Sequence, residues 1–217
     1  MRRRSIGIAL VTLGLGLAAF AQTGDYFESY PGGRTDVTYE IQTAELANPI
    51  SLGWRVEPAS GDGFSVVTTN RVTASRDALS TGVANGVAQV SNVIQNNDAV
   101  QALLENSGNL EPNATFFLPN NAQFRAASRE TIQGVSVICG LLTQPEAEGE
   151  RIMIGVADDP TLPFPPFIRQ ERREESGIGI DPLPACESIK GVLGISLARF
   201  SVPFQLLMTS YAHQSGP

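Results

Sequence analysis

A chain of 217 residues with 22 acidic side chains against 15 Lys and Arg, net charge −7 and 42% hydrophobic residues, has the length and apolar content for one domain with a real core. Its acidity excludes partners that want a basic face, nucleic acid and anionic membrane surfaces among them. One histidine, together with two cysteines that read as a bonded pair, excludes a centre built on three nitrogen or sulfur ligands.

Met1 to Ala21 reads as a cleaved export signal. Arg2, Arg3 and Arg4 precede an apolar run, Ile6 to Phe20, which closes on Ala19-Phe20-Ala21. The run is shorter than the ~20 residues needed to span a bilayer, so no transmembrane segment is expected once the signal is removed. The expected product is one exported, β-rich domain, residues 22–217, whose net charge falls to −10 with the loss of the three arginines. An oxidising compartment makes Cys139 and Cys186 a predicted disulfide. The expected location is bacterial, periplasmic or extracellular.

Residues 24–35 carry Tyr26, Phe27 and Tyr30 and then a turn at Pro31-Gly32-Gly33. Val37, Tyr39 and Ile41 alternate with polar residues, as do Ile50, Leu52, Trp54 and Val56, and Phe64 to Thr73 is rich in Val and Thr. These predict a three-stranded antiparallel meander. From Ala74 the period changes. Val83, Val87, Val90 and Ile94 fall at i, i+4, i+7 and i+11, predicting a helix over 76–95, and a second follows from Asp98 to Asn106, capped by Asn97, with Val100, Leu103 and Leu104 inward. Helical structure is therefore expected within residues 76–106.

Strand signals return at Thr115–Leu118, Phe124–Ser128 and Thr131–Thr143, the last broken by Gly134 and Gly140, where a bulge or bend is expected. Arg151 to Ala157 reads as the returning strand of a hairpin. The segment 158–184 holds six prolines and is expected to be a surface loop, neither central strand nor helix interior. Ser188–Arg199 fits helix or strand, and Val202, Phe204, Leu206 and Met208 alternate in a closing strand.

The chemistry offered is thin. Gly194-Ile195-Ser196-Leu197-Ala198 lacks the final glycine of a nucleophile elbow, and the single histidine, His213, lies near the C-terminus. Glu146, Glu148, Glu150 and Asp158-Asp159 lack the spacing of a calcium loop and read as solvated turns. No phosphate-cradling glycine loop occurs. No catalytic residue, metal ligand or cofactor is assigned, and the chain is not expected to be an enzyme. Leu162-Pro163-Phe164-Pro165-Pro166-Phe167-Ile168 is the notable apolar run, read first as a core cover, then as a lid over an apolar cavity, then as a partner-binding segment.

Thr115-Phe116-Phe117-Leu118-Pro119-Asn120-Asn121-Ala122-Gln123-Phe124 resembles the first signature of fasciclin-type adhesion domains; the second signature, with its histidine, has no counterpart downstream. A strand, a Gly-containing strand (Thr131 to Thr143), a hairpin return and then Leu162-Pro163, spread over residues 36–70 and 114–210, make a layout similar to small exported envelope proteins of the periplasmic lipoprotein-carrier kind. That resemblance implies an incomplete barrel wrapped around helices, with an apolar ligand or an envelope-assembly role.

The expected fold is α+β: a curved antiparallel sheet or incomplete barrel of about six to eight strands, one or two helices packed on one face. The expected function is that of a non-catalytic cell-envelope protein binding a lipid or other apolar ligand, or an envelope protein partner. Trp54, Val83, Val87, Val90, Phe164 and Phe167 are the candidate ligand-lining residues. A structural or adhesion module with a filled core is the alternative, ahead of a carboxylate-dependent hydrolase.

Overall fold

The computed structural model describes residues 23–44, 46–61, 63–73, 75, 86, 88, 90, 92–94, 96–173, 186 and 200–216. The export signal, Val83, Val87, Ser196 and the second half of the proline-rich segment lie outside the described residues.

Nine strands form one antiparallel sheet: β1 (Arg34–Thr43), β2 (Ile50–Pro58), β3 (Phe64–Arg71), β4 (Thr115–Phe117), β5 (Gln123–Ile132), β6 (Val135–Thr143), β7 (Glu150–Val156), β8 (Phe167–Arg173) and β9 (Phe200–Gln214). Their order is β3-β2-β1-β9-β8-β7-β6-β5-β4. The sheet would be a simple up-and-down meander if the C-terminal strand ran on into β1. It is open, with β3 at one edge and β4 at the other. The expected antiparallel sheet with a helical component on one face is present, mostly β in content.

This order dictates where the helices go. Residues 72–114 link the two edge strands, β3 and β4, and the described helical residues of this link lie against the sheet. Residues 86, 88, 90 and 92–94 are helical, and α2 (Asp98–Glu105) follows; α1 (Thr23–Ser29) precedes β1. The contact is tight: a β-carbon on Gly86 would stand 2.6 Å from Ile50 Cδ1 and 3.5 Å from Thr43 Cγ2. Asn97 caps α2 as expected, its side chain accepting the Val100 N–H at 3.2 Å, and Ala99, Val100 and Leu103 are buried. The Asn97 and Gln144 amides also pair reciprocally at 3.1 Å, which ties the helix start to the end of β6.

The alternation in the sequence sorts the two faces. Val37, Tyr39 and Ile41 of β1 lie beside Trp54, Leu52 and Ile50 of β2, and Ile41 beside Leu206 of β9, which pairs Ile168 of β8. This is the face the helical residues cover. The opposite face is covered at β6 to β8, where Val137, Cys139, Met153, Gly155 and Phe167 are all buried. Cys186 docks there, and its disulfide to Cys139, Cα–Cα 5.7 Å, is the predicted one.

Two expectations are corrected. Within 158–184, residues 167–173 are not loop: β8 is a central strand, flanked by β7 and β9. The prolines stop at Pro166 and resume at Pro182, and Phe167-Ile168-Arg169-Gln170-Glu171 between them has every backbone N–H a ladder needs. The sheet accordingly exceeds the expected strand count. Thr131–Thr143 is not one strand either. Gln133 and Gly134, with φ of 50° and 85°, form a two-residue hairpin turn that joins β5 to β6 through the Ile132–Val135 pair. The irregularity lies instead in β5, between Ala126 and Ser128.

Candidate functional site

The loop after β7, residues 157–166, turns back over the helix-covered face and gathers side chains from four elements, α1, β1, β2 and β9. Asp159 starts it. Its Oδ1 accepts from the backbone N–H of Thr161 at 2.9 Å and from the Thr161 hydroxyl at 2.7 Å, the local turn that an Asp-Pro-Thr sequence favours. Its Oδ2 accepts from the Tyr211 hydroxyl of β9 at 2.9 Å. Each hydroxyl carries one proton, so with both directed at Asp159 the 2.8 Å approach of Thr161 Oγ1 to Tyr211 Oη adds no further bond. The Tyr26 hydroxyl of α1 donates to the Thr161 carbonyl at 2.9 Å.

Three residues on, Phe164 enters the core. Its ring lies 5.6 Å from that of Tyr39 and 6.1 Å from that of Trp54, both edge-on, and its carbonyl accepts the Tyr39 hydroxyl at 2.9 Å. Tyr26 stands edge-on to Trp54 at 6.1 Å. Burial pushes the Tyr39 phenol well above its ordinary pKa; burial and the neighbouring Tyr30 push Tyr26 up, and burial with the Asp159 charge does the same for Tyr211. All three phenols remain neutral donors at physiological pH. Both oxygens of Asp159 are occupied. The cluster is equipped to hold the loop in one conformation.

Outside this network lies a cleft of about 440 Å³ between the C-terminal turn of α2 and the loop. Leu104, Leu162, Phe164 and four prolines, 160, 163, 165 and 166, give it apolar walls, and Glu105, Asp158 and Asp159 bring three carboxylates. Asp158 accepts a long 3.5 Å contact from Ser107, and among the described residues neither Lys nor Arg lines the cleft. A second cleft, about 430 Å³, lies between the start of α2 and β6 to β8. It is polar: Glu150 is held there by Arg172 at 2.6 Å and by Gln170 at 3.2 Å, and Arg151 also lines it. Of the two, the first joins a proline-lined wall to an excess of carboxylates.

No family model, curated protein or solved structure matches this chain. The site is therefore read from its own residues.

Of the predicted ligand-lining residues, Trp54 and Phe164 come together, each less than a tenth exposed, and Val90 is buried in the same core. Val83 and Val87 lie outside the described residues. Phe167 is on the other face of the sheet, beside Gly155 and the disulfide: its Cβ is 3.3 Å from where a Gly155 β-carbon would stand. Glu130 lies close to Cys139 and Cys186 in the one group among the described residues with a metal-ligand spacing, but those sulfurs are bonded to each other. His213, near the C-terminus, is in β9 opposite Thr35, with Nδ1 3.0 Å from the Thr35 hydroxyl.

Asp159, expected in a solvated turn, is instead hydrogen-bonded to Thr161 and Tyr211, and Thr161, Tyr26 and Tyr211 were not among the candidate site residues. The Asp-Pro-Thr turn was the available signal. The tyrosines had none, because they lie 185 positions apart in the chain and meet through the pairing of β9 with β1. Also unforeseen is Glu171, 4% exposed on the face opposite the cleft. Arg151 Nε donates to it at 2.8 Å, and Arg169 Nε lies 2.9 Å away without hydrogen-bonding geometry.

Proposed function

We propose that this is a non-catalytic exported cell-envelope protein that binds an extended, apolar segment of a protein partner, with one or more cations, in the cleft beside residues 157–166. The observation that carries this reading is the pairing of proline and leucine walls with three carboxylates and, among the described residues, no lining cation. Prolines present flat, pre-ordered apolar surface, and the carboxylates outside the hydrogen-bond network, Glu105 and Asp158, select a basic neighbour and speed its encounter. The non-catalytic part rests on the state of the polar groups: the phenols are held neutral and Asp159 is occupied on both oxygens.

The test is binding of two labelled peptides, one of leucine, proline and arginine and one with glutamate in place of arginine. Saturable, salt-weakened binding of the arginine peptide alone, lost in Glu105→Lys/Asp158→Lys, is the expected result. Equal binding of the acidic peptide overturns the reading.

A second reading, an apolar-ligand carrier, is favoured by the open antiparallel sheet with helical residues across one face. Native mass spectrometry of protein purified gently from its own compartment separates the two. Extra mass removed by a lipid solvent supports the carrier, and bare protein supports the partner-binding reading.

A further inference from the structure

Among the described residues three large apolar side chains are exposed, Val66 at 38%, Val67 at 48% and Phe117 at 80%. All three sit on the strands that end the sheet, β3 and β4. Unpaired edge N–H and C=O groups recruit further strands, and natural sheets blunt their edges with short strands, prolines, charges or bulges. The β4 edge is protected in this way: three residues long, with Pro112 before it and Pro119 after it. The β3 edge is not. It runs for eight residues, pairs with β2 from Phe64–Pro58 to Arg71–Ser51 without a register shift, and contains no proline and one charge, Arg71, at its end. Ser65 to Arg71 are exposed on both faces.

We propose that β3 is a docking edge for β3 of a second copy of this chain, the two strands antiparallel about a two-fold axis normal to the sheet. Such an axis keeps each face continuous across the junction, so directly opposed residues must have numbers of the same parity. Centred on Val67, the pairing sets Val67 against the partner's Val67, Val66 against the partner's Thr68, Ser65 against the partner's Thr69 and Phe64 against the partner's Asn70. No like charges oppose one another, and the exposed β-branched side chains gain cross-strand neighbours of the kind that stabilise sheets. Arg71 falls opposite the partner's Gly63, where nothing repels it. A head-to-tail junction of β3 on β4 would pair only the three residues β4 offers. It would also leave free edges to propagate, whereas the two-fold junction closes after two copies. This surface is separate from the cleft proposed above and stands or falls independently of it.

The test is sedimentation velocity on the exported protein over a concentration series. The expected result is a shift from one chain to two with rising concentration, abolished in Val67→Lys, which sets lysine against lysine, and unchanged in Phe117→Ser. A wild type that stays at one chain, a Val67→Lys protein that doubles equally, or loss of doubling in Phe117→Ser each overturns the proposal. Hydrogen exchange of the wild type is the second measurement, independent of any variant's folding. Protection of the Ser65–Asn70 amides that rises with concentration supports the pairing, and protection independent of concentration overturns it.

Discussion

Cys186 Sγ lies 3.2 Å from the point where a β-carbon on Gly155 would stand, and Val137 Cγ1 is 2.8 Å from the same point. The disulfide therefore crosses the sheet at the one residue of β7 that leaves room for it. Gly155→Ala should cost about 1–3 kcal/mol through overpacking, read as a lower denaturant midpoint at unchanged m-value. Part of that cost should vanish in a Cys139→Ala/Cys186→Ala background, which removes the sulfur contact while the nearer contact with Val137 Cγ1 remains. An equal cost in both backgrounds would sink this assignment.

The same disulfide closes a loop of sequence separation 47. Removing it with Cys139→Ser/Cys186→Ser should lower stability by roughly 2–5 kcal/mol. The wild-type protein should show no titratable thiol when unfolded without reductant, and two once reduced.

Tyr39, Tyr26 and Tyr211 all have pKa values raised above the ordinary phenol value, burial being the first cause in each. The native state then keeps protons that the unfolded chain releases, so stability is complete below about pH 10 and declines as pH rises past it. Fully buried Tyr39 alone should contribute a slope approaching about 1.4 kcal/mol per pH unit in that range. Tyr39→Phe should flatten the slope while costing about 1 kcal/mol near neutrality through the lost bond to the Phe164 carbonyl. Urea midpoints measured from pH 8 to 11 check both, and a flat wild-type profile would contradict the burial of these phenols.

The helix over 98–105 gives two changes of opposite sign. Asn97→Ala removes both the cap on Val100 and the pairing with Gln144 and should cost about 1–2 kcal/mol. Glu105 sits in the last turn, where no basic residue meets the carbonyl end. Glu105→Lys should stabilise by about 0.3–1 kcal/mol. If that variant also loses the arginine peptide, the loss cannot be assigned to unfolding.

Alternation and periodicity carried the local structure. The 34–71 meander, the Asn97-capped helix, β7 and the buried side of β9 follow from which residues can share a face, a property of neighbours in the chain. The apolar run at 162–168 divides for a reason equally local. Its prolines hold the loop, and the proline-free stretch beyond them supplies a strand; counting prolines over a window of 27 residues obscured that boundary.

What alternation cannot convey is which strands become neighbours, since every antiparallel pairing of half-buried strands satisfies it equally well. The seating of β9 between β1 and β8 brings Tyr211 to Asp159 and Tyr26 and puts His213 beside Thr35. It also leaves β3 and β4 as the edges. Composition and local pattern thus determined an acidic, cystine-bearing, mainly antiparallel protein. Its cleft, its phenol network and its exposed edge were decided by long-range pairing, because each joins residues that only the closed sheet brings within hydrogen-bonding reach.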